Sequence, residues 1–343
     1  MSISVCLIVK DEELLLEQCL SSVKDLADEI IVAVDSRTKD STRDIAKRFT
    51  SNVFDFKWND DFSEARNLVI EKATKDWIFF IDGDEIIAKE DVEKIKNLTK
   101  SNEFLAYSFL QVTYTNNASM ENFFEAKDYL KKGFNGAISC NIVRLFKKDP
   151  DFRFVGNVHE YIEESIEKKG KIFRTNIPIH HYQELKGADF FKKKQLDYLE
   201  LYEKDIESYP NKVRAYRHMG NIYYTYKKDY DKAIENFNKA LNINPNDPRA
   251  YLGLGWCYMA KKDSKMAVNA FKKALEINKY SDVLWVSLGK AYALDNKPKA
   301  AITCIENAIQ INPSSKKKLL PIIAELKNPV KYSYNIKGLA SLE

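Results

Sequence analysis

The stretch DWIFFIDGDE (76–85) decides how the first half of this chain is read. Trp77–Ile81 is a continuous apolar run, long enough for a strand buried on both faces and too short for a helix. It stops abruptly at Asp82, and Gly83 lets the backbone turn so that Asp82 and Asp84 can address one pocket. Alone, such a DxD is an acidic turn. Its neighbours upstream give it more weight.

Working back toward the N-terminus, Ser4–Val9 reads as a first strand, followed by an amphipathic helix over about 12–24. Glu29–Val34 is a second strand, and a helix opens at Ser41–Arg48 with Ser41 or Asp40 as its N-cap. Val53–Trp58 is a third strand and Phe62–Ala73 a third helix, which makes Trp77–Ile81 the fourth strand. Alternation of this kind implies a parallel sheet with helices on both faces, and ligands then bind outside the carboxyl ends of the strands. Three of those four exits carry acids: Asp11 and Glu12, then Asp35, then Asp82, Asp84 and Glu85. No GxGxxG follows the first strand and no GxxxxGK[ST] occurs, so a Gly-rich phosphate nest is excluded. Carboxylates and a metal would have to handle any nucleotide phosphates.

The second half has a different period. Ala233, Ala267 and Ala301 recur every 34 residues, as do Phe237, Phe271 and Ile305, and Ala240, Ala274 and Ala308. Gly220, Gly255 and Gly289 precede Tyr223, Tyr258 and Tyr292, and Asn244-Pro245 and Asn312-Pro313 close two of the units. Small residues let antiparallel helices approach while aromatic residues fill the space between pairs, and proline ends a helix. This resembles the tetratricopeptide repeat. The expected layout is a catalytic domain over 1–188, a linking helix over 189–210, three repeats over 211–315, and a capping helix and tail over 316–343. The repeats predict a groove for a protein partner or for self-association.

The 343 residues are 45% hydrophobic and 30% charged, which is a globular composition. The net charge of +4 comes from 54 basic and 50 acidic residues that are well mixed, without the concentrated basic field of a nucleic-acid binder. The scattered Cys6, Cys19, Cys140, Cys257 and Cys304 form no CxxC pair and suit a reducing compartment. The first residues, MSISVCLIVKDEE, lack a basic n-region, and no stretch reaches the ~20 apolar residues of a membrane span. A cytoplasmic protein is expected, with peripheral contact at the inner face of the membrane left open.

Taken together, SVCLIVKDEELLLEQCLSSV, DEIIVAVDSRTKDST, DDFSEARN and DWIFFIDGDE resemble the inverting family 2 glycosyltransferases of the GT-A fold. RLFKKDPDFRFVGNVHEYI (144–162) is similar to their non-processive branch, which often bears a tetratricopeptide tail. That branch includes lipopolysaccharide-core glucosyltransferases and bacteriocin S-glycosyltransferases.

The resemblance implies a hexosyltransferase with a nucleotide-sugar donor, typically a UDP-sugar, and Mn²⁺ or Mg²⁺ as cofactor. It implies that Asp35 accepts a hydrogen bond from the base, with Val9 and Glu12 lining that pocket, and that Arg66 orders the nucleotide side. Asp82 would contact the ribose and the metal shell, Asp84 would ligate the metal, and His159 would lie near the metal or the diphosphate. Arg37-Thr38-Lys39 departs from the small residues usual after the second-strand aspartate. For the base that inversion requires, Glu160 is the first candidate, with Glu121, Glu125 and Asp128 as alternatives. His180 and His181 read first as packing residues, with flanking the site or bridging to the helical domain as the alternatives. The acceptor is a peptide, a protein or a cell-envelope glycan. Two other readings are a non-catalytic repeat scaffold with a degenerate first domain, and a nucleotidyltransferase. The second is disfavoured because LIVKDEELL lacks the Gly-rich basic loop that a triphosphate needs.

Overall fold

The computed structural model describes residues 1–117, 120, 123–126, 130, 132–158, 160–208 and 212–327. The chain divides into two compact units, Met1–Lys194 and Gln195–Glu343.

In the first unit, β1 (Ile3–Val9), β2 (Glu29–Asp35), β3 (Val53–Phe56) and β4 (Trp77–Phe80) alternate with α1 (Leu16–Val23), α2 (Thr42–Lys47) and α3 (Phe62–Lys72). These four strands are parallel and lie in the order β3-β2-β1-β4. There follow β5 (Glu85–Ile86), α4 (Val92–Leu98), β6 (Ala106–Thr115), β7 (Phe124–Glu125), β8 (Gly136–Lys147), α5 (Glu163–Glu167) and β9 (Ile172–His181). They extend the sheet as β4-β8-β6-β9-β5, with β7 on β8. The additions make a mixed sheet: β8 runs antiparallel to both β4 and β6, β9 parallel to β6, and β5 antiparallel to β9.

The parallel half is covered on both faces, which is why its strands read as unbroken apolar runs. Ile3, Val5, Leu7 and Val9 pack with Leu16, Cys19, Leu20 and Val23 of α1 and with Ile95 of α4. Cys6, Ile31, Ala33, Ile78 and Phe80 point the other way, onto Ala65, Val69 and Ile70 of α3.

Two expected boundaries shift, each for a local reason. The first helix begins at Leu16 rather than near residue 12, because Asp11 is left-handed (φ 51) and the Glu12 carbonyl closes a turn on the Leu15 and Leu16 N–H groups. Ser41 is the N-cap of α2 but makes no capping bond; Asp40 accepts from the Thr42 N–H and hydroxyl instead. Pairing of β3 with β2 ends at Phe56, and Trp58 turns away to donate its indole N–H to Asp60. By contrast, α3 starts where expected, with Asp61 accepting from the Glu64 N–H at 3.0 Å.

The second unit is helical. The division between units falls inside α6 (Ala188–Ser208), which is followed by α7 (Val213–Ile222), extended by a π turn over Tyr223–Lys227, and by α8 (Tyr230–Ile243). Then come α9 (Pro248–Ala260), α10 (Ser264–Ile277), α11 (Asp282–Leu294), α12 (Pro298–Ile311) and α13 (Lys316–Leu326). The alanines of the 34-residue period are all fully buried. At Gly255, a Cβ would stand 2.3 Å from the Phe271 ring, so the close approach requires glycine. The second helix of each unit ends at an asparagine, which proline follows in the first and third units. Asn244, Asn278 and Asn312 each cap one by donating to the carbonyl of Ala240, Ala274 or Ala308, although Lys279 replaces proline in the middle unit. Lys228, Lys262 and Asn296, again 34 apart, are left-handed at the turns inside the pairs. Pro210 lies outside the described residues.

Candidate active site

The carboxyl edge of the parallel strands gathers charge. Asp35 ends β2, Asp82 lies two residues beyond the end of β4 and Asp84 four, and Glu12 lies three beyond the end of β1. Antiparallel pairing of β8 with β4 then carries Arg144 to the end of β4, and pairing of Glu85 with His181 carries β9 beside Asp84. The chain thereby assembles two linked charge clusters and a separate pair.

The first cluster surrounds Asp82. Its Oδ1 accepts from Arg66 Nη2 at 2.9 Å and its Oδ2 from Arg144 Nη2 at 2.7 Å. Arg144 is almost fully buried and also donates to Glu85 Oε1 at 2.7 Å. Glu85, fully buried, accepts further from Gln111 and from the Asp82 N–H. Burial alone would raise the Asp82 carboxyl, but the charges of Arg144 and Arg66 outweigh it and hold Asp82 below the usual carboxylate range. The same carboxylates hold Arg144 above its ordinary value against the cost of its burial. Arg66 also donates through Nε to Glu160 Oε1 and lies over the ring of Phe80, 4.3 Å from its centroid. Its Nη1 is buried with no partner among the described residues, and Arg66, Arg144, Phe154, Glu160 and Tyr161 line a shallow cleft.

The second cluster surrounds Asp84. Lys186 Nζ lies 2.8 Å from Asp84 Oδ2 and 2.5 Å from Glu12 Oε1, and His181 Nε2 lies 3.5 Å from Asp84 Oδ1. The other ring nitrogen of His181 meets Thr113 Oγ1 at 3.0 Å. Burial opposes ionisation of Asp84, yet His181 and Lys186 hold it well below its ordinary value. Burial likewise works against the charged forms of His181 and Lys186, and the acids around them raise both. Glu12 goes the other way: burial and the charge on Asp84 push it up to about 8, against the pull of Lys186. Its Oε2 is buried with no partner among the described residues, which costs less for a neutral carboxyl than for a carboxylate.

The separate pair is Asp35 with Arg37. The Arg37 side chain engages both Asp35 oxygens, with Nη2 2.6 Å from Oδ2, and lies 5.4 Å from the centroid of the Trp58 ring. Asp35 is buried, which raises a carboxyl, but bonds from Arg37 bring it below its ordinary value.

The residues singled out in the sequence therefore fall into groups. Asp82, Arg66 and Glu160 meet in one cluster, Asp84 and Glu12 in the next, and Asp35 stands with Arg37. Val9 is buried at the end of β1 and presents no polar side chain. His159, Glu121 and Asp128 lie outside the described residues, while Glu125 is exposed on β7. Three partners are additions: Arg144, His181 and Lys186. An arginine inside the apolar run IVRLF is a legible sign of a buried, paired guanidinium. His181, expected to pack, faces Asp84. Nothing local to Lys186 marks it.

A hard divalent ion fits the Asp84 end. One carboxylate and one imidazole supply oxygen and nitrogen donors of the kind Mn²⁺ accepts, and Mg²⁺ or Mn²⁺ in such sites takes its remaining ligands from phosphate and water. Among the described residues no group of three or more His, Cys, Asp or Glu could hold a metal ion, so an ion here would need further ligands from outside the protein. Glu12 Oε2, with no partner among the described residues, lies on the same cluster.

Comparison with known proteins accords with this geometry. Residues 4–153 match the family model described as glycosyl transferase family 2. Residues 224–262, 248–281 and 283–315 match tetratricopeptide repeat models. The chain is 34% identical over 171 residues to a TPR repeat-containing protein of Synechococcus elongatus, covering 48% of this chain and 36% of that one. It is 29% identical over 255 residues to the SPbeta prophage-derived glycosyltransferase SunS of Bacillus subtilis, covering 73% of this chain and 56% of that protein. An uncharacterized glycosyltransferase of Rickettsia conorii is 26% identical over 211 residues, covering 56% of this chain and 68% of that protein. The chain thus spans about a third and about half the length of the first two relatives.

Proposed function

We propose that this protein is an inverting, metal-dependent glycosyltransferase using a UDP-sugar, because residues 4–153 match the glycosyl transferase family 2 model and matches to tetratricopeptide repeats follow. The observation that carries the reading is the division of labour in the DGDE segment. Asp82 is locked between two guanidinium groups, while Asp84, two residues on, faces an imidazole and an ammonium.

Asp84 and His181 would hold Mn²⁺ or Mg²⁺, which when bound neutralises charge developing on the leaving diphosphate. Arg66, with a buried N–H lacking a partner among the described residues, would donate to the donor, and Arg144 and Glu160 keep Arg66 and Asp82 in register. Asp35 would reach the base once Arg37 yields. In the reaction the acceptor's nucleophile forms a bond to the anomeric carbon as the bond to the diphosphate breaks, and the acceptor proton passes to a carboxylate. With its Oε1 on Arg66, Glu160 acts first as a positioning residue, which directs the search for the base to Glu125 and to Glu121 and Asp128.

Peptide or protein acceptors are favoured by the repeats, and a cell-envelope glycan is the other class. Self-association or a protein partner would use the same repeats. No helix among the described residues is long and apolar enough to cross a membrane. We place the protein in the cytoplasm, where its free cysteines, four of them buried, would stay reduced. A thermal-shift panel of UDP-, GDP- and dTDP-sugars with and without Mn²⁺ tests the donor, since specific binding raises the melting temperature by mass action. Stabilisation by UDP-sugar only with Mn²⁺ supports the reading; no shift with any donor refutes it and favours a scaffold.

A further inference from the structure

Lys186 bridges two acids of this site, and no motif accounts for it. Its side chain is only 7% exposed, a burial that lysine tolerates only when paired. It closes the short 3₁₀ turn Gln183–Lys186, which leaves β9 directly after the Asp84-facing His181. Gly187, at φ +86, follows it in a conformation that suits glycine alone, so the turn delivers Lys186 at a set point. The ammonium bridges Asp84 Oδ2 and Glu12 Oε1, and its charge lies on the carboxylate that would receive a divalent ion.

A divalent ion on Asp84 would stand about 2.0–2.1 Å from its oxygen. His181 faces Oδ1 and the ammonium lies 2.8 Å from Oδ2, so an ion held by Asp84 and His181 would share one carboxylate with the Lys186 charge and be repelled by it at close range. We infer that Lys186 is a tethered cation that competes with a divalent ion for the Asp84 carboxylate. This inference rests on the reading of Asp84 as the metal ligand. The long, flexible stem and three rotatable donors of lysine suit a group that changes partners. The diphosphate arriving with the metal offers it new acceptors.

The test is Mn²⁺ alone, titrated into the full chain and followed by the electron paramagnetic resonance signal of the free ion, for wild type, Lys186→Met, Lys186→Arg and Asp84→Asn. Lys186→Met should bind Mn²⁺ on the order of ten-fold more tightly than wild type, because the competing charge is gone. Lys186→Arg keeps that charge and should resemble wild type, and Asp84→Asn should bind nothing above background. A merely structural lysine would not produce this pattern. Equal or weaker binding by Lys186→Met, with Asp84→Asn still defective, overturns the role of Lys186 and leaves the metal reading standing. Absence of Mn²⁺ binding in every form, Lys186→Met included, overturns both. Lys186→Gln provides the same comparison if the methionine variant does not fold, and Mn²⁺ should raise the melting temperature of either variant more than that of wild type.

Discussion

Replacing Arg144 with methionine probes the framework beneath the site. The guanidinium is about 1% exposed and spans Asp82 Oδ2 and Glu85 Oε1, each at 2.7 Å. Breaking a buried ion pair by removing one partner costs about 3–5 kcal/mol, because the remaining charge is stranded. Two facts place this case near the low end. Glu85 keeps its bonds from Gln111 and the Asp82 N–H, and Asp82, with 30% of its side chain exposed, keeps Arg66. A loss of about 3 kcal/mol corresponds to roughly hundred-fold faster amide exchange in segments that open with the core. Hydrogen–deuterium exchange of the full chain, read on peptides from β4 and β8, measures this, with peptides from α9 to α12 as reference. In Glu85→Gln the stranded charge is already absent, so adding Arg144→Met should cost at least about 1 kcal/mol less than in wild type. An acceleration below ten-fold, or strict additivity with Glu85→Gln, refutes the buried-network argument.

Three further predictions follow from the same geometry. Arg37→Ala should tighten UDP binding several-fold by freeing the Asp35 carboxylate, while Asp35→Asn should weaken it; isothermal titration with UDP and Mn²⁺ reads both, and unchanged affinity in both removes Asp35 from base recognition. Glu12, raised to about 8 by burial and Asp84, binds a proton in the folded but not the unfolded chain between its ordinary value of 4.5 and about 8. Its contribution is therefore fully present below that window and is lost as pH rises through it, so melting temperature against pH should fall over that range and flatten in Glu12→Gln. Gly255→Ala places a methyl 2.3 Å from the buried Phe271 ring, so overpacking of about 1–3 kcal/mol should outweigh the alanine's gain in helix propensity. Denaturant unfolding followed by circular dichroism should show a lower midpoint.

Much of the architecture is legible along the chain because it depends on short-range periodicity. Apolar runs of strand length separated by amphipathic segments mark a sheet covered on both faces, and the recurring Ala, Phe and Gly positions mark helix pairs. Boundaries are less legible where side chains are drawn into tertiary bonds. Glu12 reads as the start of a helix, but its side chain belongs to the Asp84 cluster, and the helix waits until Leu16.

The DGDE segment followed the same division. Its place at a strand exit, beside Asp35 and Glu12, is contained in local sequence, and that was enough to nominate Asp82 and Asp84. Which charges face them was decided by the order of the sheet. Arg144 lies 62 residues from Asp82 and reaches it because β8 pairs antiparallel with β4. Lys186 lies 102 residues from Asp84 and reaches it because β9 pairs with β5. Periodicity encodes which face of an element is buried. It does not encode which distant element becomes the neighbour, and at this site distant neighbours partner Asp82, Asp84 and Glu12, whereas Asp35 meets Arg37 two residues away.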